Sequence, residues 1–392
     1  NLKDLHPLIY KYFNIFKYFL YIINMDKNTP QVIIFIITLV VIISGIFYYL
    51  YITGLRSREC TFMNNIYGTL NTRLKPLNAS SKQCQYNLQD YYIKTAYNCC
   101  SGGSYKNDYV DTCNLINVLK QGCRGLDFEI YSIDDKPIVS TSILDNNYVK
   151  ETYNYVEFSE VMNILTNYAF SASTAPNYTD PLIIHLRIKS NNSKMIANFA
   201  DLFKQYSGFM LGENYSYENY GKNIGSVPLL TFVSNSTTSK SKNNIILIVD
   251  RENKTFLENN QFMEYVNMTS NSIFMRALRY YDVKYAPDFI ELQEYNKQNL
   301  SMGMPDNEIN PVNPNGIVVR ESGCQMIAMR YQYVDNYLEE NIGFFDKVGF
   351  AFALKPDRLR YVPVELPDPT PQRPELSYES RDISSDYFSF SI

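Results

Sequence analysis

The stretch "VIIFIITLVVIISGIFYYLYI", Val32 to Ile52, runs for 21 residues without a charged side chain. As a helix rising about 1.5 Å per residue it covers the roughly 30 Å of a bilayer's hydrocarbon core. Tyr48, Tyr49 and Tyr51 crowd one end, where amphipathic rings suit the membrane–water boundary. A secretory signal would carry a shorter apolar region and a small-residue cleavage site. Neither is evident, so the expectation is a retained anchor and a single-pass membrane protein. Ahead of it, residues 1–31 form an N-terminal segment. There "LIYKYFNIFKYFLYII", Leu8 to Ile23, has two readings: an interfacial helix, or non-native residues 1–24 before a start at Met25.

The side of the membrane is left open by two opposing signals. Arg56 and Arg58 follow the span closely, which favours a cytoplasmic body. Yet Cys60, Cys84, Cys99, Cys100 and Cys113 crowd into the region after it, which suits disulfides in an oxidising compartment. Cys99, Cys100 and Cys113 are near enough in sequence for disulfides, whereas Cys123 and Cys324 read as buried thiols.

Charge excludes one class of partner. With 36 basic and 40 acidic residues, net −4, no basic field points to nucleic acid. Tyrosine is abundant at 35 and tryptophan absent, as an AT-biased coding sequence produces; a viral or protist membrane fits such a bias.

Residues 53–89 are polar and irregular and read as a stalk. From about Tyr91, apolar strand candidates alternate with helical patterns. The strands are Asp90–Tyr97, Gly125–Ile133, Lys136–Ser142, Pro181–Lys189, Asn244–Arg251, Glu264–Ser270 and Cys324–Gln332. The helices are Val110–Gln121, Glu157–Ala169, Asn192–Tyr206 and Ser272–Tyr281. Such alternation favours an α/β architecture with parallel strands, most economically a TIM-like (β/α)8 barrel. The expected divisions are a half barrel over 90–212, a linker loop over 213–243, a second half over 244–362 and a Pro-rich extended tail over 363–392.

Two acids and two bases stand out on those strands. Asp127 and Glu129 share one strand face, as do His185 and Arg187. Paired carboxylates suit a hard cation or a basic partner. His185 is one of two histidines in the chain.

The segment "GCRGLDFEIYSIDDKP", Gly122 to Pro137, resembles the X-box of eukaryotic-type phosphoinositide-specific phospholipase C. "SGCQMIAMRYQ" with "NIGFFDKVGFAFALKPDRLR", between Ser322 and Arg360, resembles the end of that family's Y-box. The resemblance covers roughly residues 90–362 and implies a barrel split into X and Y halves. The family's chemistry uses two histidines, Ca²⁺ and basic residues on the ring phosphates.

Carried over position by position, much of that machinery is absent. In "TAYNCC" the calcium-binding asparagine survives as Asn98, but the first catalytic histidine has become Tyr97. The second histidine falls on Thr141. The acidic ligands become Asp127 and Glu129, and the last metal-binding glutamate becomes Arg187. The two headgroup lysines correspond to Val249 and Arg251, and the phosphate-binding arginine and ring-contacting tyrosine to Met302 and Met304. The resemblance therefore implies a degenerate member, a membrane-anchored binding or structural pseudoenzyme. No cofactor is expected, because the Arg187 guanidinium takes calcium's place between the acids. Partners beyond the bilayer are phospholipid headgroups or other proteins. Two alternatives stay open: an active phosphodiesterase of altered chemistry using His185, and a lipid-headgroup binder using Arg187 and Arg251.

Overall fold

A computed structural model of the chain describes residues 29–78, 80, 84–144, 148–211, 215–216, 223–233, 245–363, 373 and 378–392. The segment read above as Leu8–Ile23, most of the linker over 213–243 and much of the tail fall outside these residues.

The apolar run lies in helix α1, Thr29–Tyr67. The part from Val32 is long and apolar enough to cross a membrane, with mean hydropathy 2.7 in its best window. Residues 53–67 had read as irregular stalk, yet the helix continues through them. Their polarity is that of a helix docked on one side. Met63 and Tyr67 enter the protein core, while Ser57, Arg58 and Phe62 stay exposed. Cys60 is disulfide-bonded to Cys113, so the expected bonding of Cys99 or Cys100 is not found. Both are buried free thiols, as are Cys84, Cys123 and Cys324.

Eight strands form a nearly closed barrel in the order β7-β6-β5-β2-β1-β10-β9-β8, every adjacent pair parallel. They are β1 Tyr91–Ala96, β2 Gly125–Ile133, β5 Leu182–Ile188, β6 Ile245–Asp250, β7 Met268–Ser270, β8 Met275–Arg279, β9 Leu300–Met304 and β10 Met326–Met329. Antiparallel additions flank it. β3, Lys136–Ser140, pairs with β2 and with β4, Val156–Glu157, while β11, Phe352–Leu354, pairs with β1 at the barrel's base. A short hairpin, β12 Asp382–Ser384 with β13 Ser389–Ser391, ends the chain where an extended tail was expected.

Strand period explains the continuous apolar runs. In β5, Leu182, Ile184, Leu186 and Ile188 face the outer helices, while Ile183 faces the barrel interior. The interior is filled by Tyr91, Ile93, Ile246, Ile248, Met302 and Met326, among others. Gly125 sits where this filling is tightest: an added Cβ would stand 2.3 Å from the Thr95 hydroxyl. Outer helices include α2 Thr112–Lys120, α3 Phe158–Ile164, α4 Ser193–Gln205, α5 Tyr280–Lys284, α6 Phe289–Gln298, α7 Gly316–Glu321 and α8 Asn336–Val348.

One expectation is corrected outright. Ser272–Tyr281, read as a helix, contains strand β8. Asn271 turns with φ +54°, and Met275–Arg279 then pairs in full with Leu300–Met304. A run this short fits both periods, and pairing with β9 decides it. No helix separates β7 from β8, and these two strands form the unpaired seam of the barrel.

Candidate functional site

The C-terminal ends of parallel strands are where a barrel of this kind gathers side chains. β2 and β5 lie in register there, with Asp127 opposite His185 and Glu129 opposite Arg187. All four point inward because their positions alternate with the outward apolar ones. At the end of β1 the chain turns through Asn98 with φ +44°, a conformation asparagine tolerates. That turn brings the Asn98 side chain over the same spot.

Arg187 is the hub. Its Nε donates to Asp127 Oδ1 at 3.1 Å, and its Nη2 to Asp127 Oδ2 at 2.7 Å. Nη1 donates to Glu129 Oε1 at 2.6 Å, and Nη2 also to Asn98 Oδ1 at 2.9 Å. The guanidinium stacks on the Tyr97 ring, 4.6 Å from its centroid. The remaining oxygen of Glu129 accepts from the Tyr131 hydroxyl at 2.9 Å and the Ser142 amide at 3.0 Å. Both acids and the arginine are buried, with side chains at most 5% exposed.

Burial alone would raise the Asp127 carboxyl, but Arg187 and His185 hold it well below the usual range. Burial would likewise lower Arg187, yet Asp127 beside it pushes it well above its ordinary value. Burial raises the Tyr97 phenol despite Arg187 and Arg279, so it stands as a neutral hydroxyl. Arg279 Nη1 donates to that hydroxyl at 3.0 Å.

His185 is wholly buried between two partners. Nδ1 meets Asp127 Oδ1 at 2.7 Å, and Nε2 meets the Ser270 hydroxyl at 2.8 Å. An ionised carboxylate only accepts, so Nδ1 carries the proton. Asp127, His185 and Ser270 thus line up in the order of a nucleophile relay, but Ser270 is 0% exposed.

The remaining sequence-derived positions scatter. Thr141 bonds the Tyr105 carbonyl at 3.0 Å and does not enter the cluster. Met302 and Met304 face the apolar barrel interior. Val249 points the other way, into the layer between strands and helices. Arg251 follows β6 directly, its amide donating to the Ser270 carbonyl at 3.1 Å. Sequence reasoning missed Ser270, Tyr131, Ser142 and Arg279. Ser270 lies on a three-residue strand, and Ser142 and Arg279 bond across elements, so neither motif nor spacing marks them; Tyr131, two residues after Glu129 on β2, shares its face and could have been found by strand alternation.

Residues 84–228 match the family described as phosphatidylinositol-specific phospholipase C, X domain. Among solved structures, PLC21 of L. pealei is 18% identical with TM-score 0.57, over 73% of this chain and 39% of that one. PLC21 of S. officinalis is 16% identical with TM-score 0.53, again over 73% and 39%. The chain therefore spans well under half the length of either. No curated protein sequence matches it.

Proposed function

We propose that this phosphatidylinositol-specific phospholipase C-like barrel is a membrane-anchored pseudoenzyme, holding its site closed rather than hydrolysing lipid. The observation that carries the reading is the saturation of the acidic pair. Every oxygen of Asp127 and Glu129 meets a donor, and Arg187 supplies three of those hydrogen bonds. A calcium ion needs six to eight oxygen ligands at about 2.3–2.6 Å. Here a guanidinium stands among Asn98, Asp127 and Glu129, so the residues do not fit the family's metal.

Proton chemistry is equally poorly served. The described barrel holds one histidine, and its two ring nitrogens are both engaged in a buried chain. Tyr97, at the first histidine's place, has a phenol raised by burial. Losing one acid–base group costs about 10²–10⁴ in rate. Ser270 accepts no substrate while closed from solvent. A cleft reaching Arg187, lined also by Tyr148, Lys189, Asp250 and Glu252, measures about 10 Å³. That is room for about one water, against roughly 300 Å³ or more for a ligand pocket. Among the described residues this cleft leaves a headgroup no room at Arg187, which favours the closed, structural reading.

The test is direct. The full chain in vesicles of phosphatidylinositol and its phosphates, with millimolar Ca²⁺, should release no inositol phosphate. Turnover abolished by Asp127→Ala or Arg187→Ala would overturn the reading.

A further inference from the structure

The cysteines fall into two kinds. Cys84, Cys99, Cys100, Cys123 and Cys324 are buried free thiols, a setting in which thiols are inert. Cys60 and Cys113 are part-exposed and bonded to each other between α1 and α2. Asp111 stands beside them. Its Oδ1 caps α2 by accepting from the Cys113 amide at 2.8 Å, and its Oδ2 meets Arg56 Nε. Among the described residues, Cys60, Asp111 and Cys113 form the one group of three metal-ligating side chains whose ligand atoms all lie within 4.8 Å of one another. The group is supported from behind. Asn64 Nδ2 donates to the Cys60 sulfur at 3.6 Å, and Asn64 Oδ1 is itself held by Asn117 Nδ2 at 2.8 Å.

We propose that Cys60 and Cys113, once reduced, form a zinc site with Asp111 that ties α1 to α2 in place of the disulfide. Two thiolates and a carboxylate suit Zn²⁺, which accepts both sulfur and oxygen. Zinc–sulfur bonds of about 2.3 Å set the two sulfurs of a tetrahedral site about 3.8 Å apart. The Cα atoms of the pair are 6.0 Å apart, so side-chain rotation opens it to that span. Asp111 can release its Oδ2, because the Arg56 side chain is 53% exposed and a surface ion pair is given up at little cost. A fourth ligand, water, enters from an open cavity of about 360 Å³ lined by Thr53, Arg56, Ser57, Cys60, Thr61 and Asp111. The conversion balances. A dithiol attacks one sulfur of the disulfide, leaves as its own disulfide, and delivers two electrons and two protons to the pair. Zn²⁺ then displaces both thiol protons to solvent as the two zinc–sulfur bonds form. The junction between the apolar helix and the barrel is thus closed in either redox state, by sulfur in an oxidising compartment and by zinc in a reducing one.

This does not rest on the closed-mouth reading, and Co²⁺ tests it. Cobalt bound by thiolates absorbs through sulfur-to-metal charge transfer, and colourless zinc displaces it. The full chain in detergent is reduced with a phosphine, freed of reductant and titrated with Co²⁺. One equivalent should complete the charge-transfer band, and one equivalent of Zn²⁺ should bleach it. The oxidised chain should give no band, and Cys60→Ser should lose it. Asp111→Asn, which keeps the helix cap, should shift the band and weaken binding. Cys113→Ala should repeat the loss if the first cysteine variant misfolds. A reduced wild-type chain without the band would overturn the site. A band undiminished in both cysteine variants would overturn it too, by placing the metal on the buried thiols. Neither result alters the closed mouth, which lipid turnover tests separately.

Discussion

Two groups of charged side chains are buried in one barrel, and they are held in opposite ways. At the C-terminal mouth, Arg187 meets Asp127, Glu129 and Asn98 through every branch of its guanidinium. At the base, Arg124 directs Nη2 to the Ala169 and Asn177 carbonyls, while its Nε and Nη1 lack partners. Lys94 Nζ and Asp180 Oδ2 nearby are also unpartnered. The titration directions follow. Arg187 is pushed above its ordinary value. Burial lowers Arg124 to about 10 and Lys355 to about 7. Burial likewise raises Asp180 to about 7 against the pull of Arg124. Charge at the mouth is kept by mutual pairing; charge at the base is weakened by burial. Only the first arrangement makes a closed electrostatic unit whose parts depend on one another.

The strongest way to break this contrast is to remove the hub. Arg187→Ala strands two buried carboxylates and should cost about 3–5 kcal/mol of unfolding free energy in a denaturant titration. Removing all three charges together, Asp127→Asn with Glu129→Gln and Arg187→Met, should recover most of that loss, since a neutral set has no stranded ion. Arg124→Met should cost less, about 1–3 kcal/mol, because it removes hydrogen bonds without leaving a paired carboxylate bare. An equal or larger loss than Arg187→Ala would erase the distinction between the two ends.

Lys355 sharpens it through pH. Its folded-state value near 7 lies below the ordinary 10.5, so between these values the unfolded chain binds the extra proton. Stability from this group is present above about 10.5 and lost as pH falls toward 7, with a slope of at most about 1.4 kcal/mol per pH unit. Lys355→Met should flatten thermal unfolding across that window, whereas Arg187→Met should leave its slope in place. The smallest effect belongs to the chain behind the hub. Ser270→Ala should cost about 1 kcal/mol and create no change in lipid turnover, since the hydroxyl only bonds His185.

The sequence made the barrel legible where strands are apolar on both faces. β6 reads as a continuous run, β2 and β5 keep apolar outer faces around their inward charges, and the X- and Y-box resemblance joined them into one fold. The mouth was half legible. Alternation put Asp127 with Glu129 and His185 with Arg187, and the resemblance set the pairs opposite each other. What escaped depends on contacts made in space. Ser270 belongs to a strand too short to show a period, and Arg279 meets the Tyr97 hydroxyl from β8, a strand whose residues read as helix. Val249 fell to the outer layer because one residue of register exchanges a strand's faces. Residues 53–67 looked irregular because a helix clamped along one side by Arg56–Asp111 and Cys60–Cys113 needs no apolar stripe of full width.

The central claim is that a guanidinium holds the place of the family's calcium, and calcium-dependent melting tests it. Unfolding temperatures of the wild-type chain and of Arg187→Glu are compared in EDTA and in millimolar Ca²⁺. The account predicts an unchanged melting temperature for the wild type, and a destabilised variant that gains stability when calcium joins its added carboxylate. A wild-type melting temperature that climbs with Ca²⁺, and a climb lost in Asp127→Asn, would contradict it.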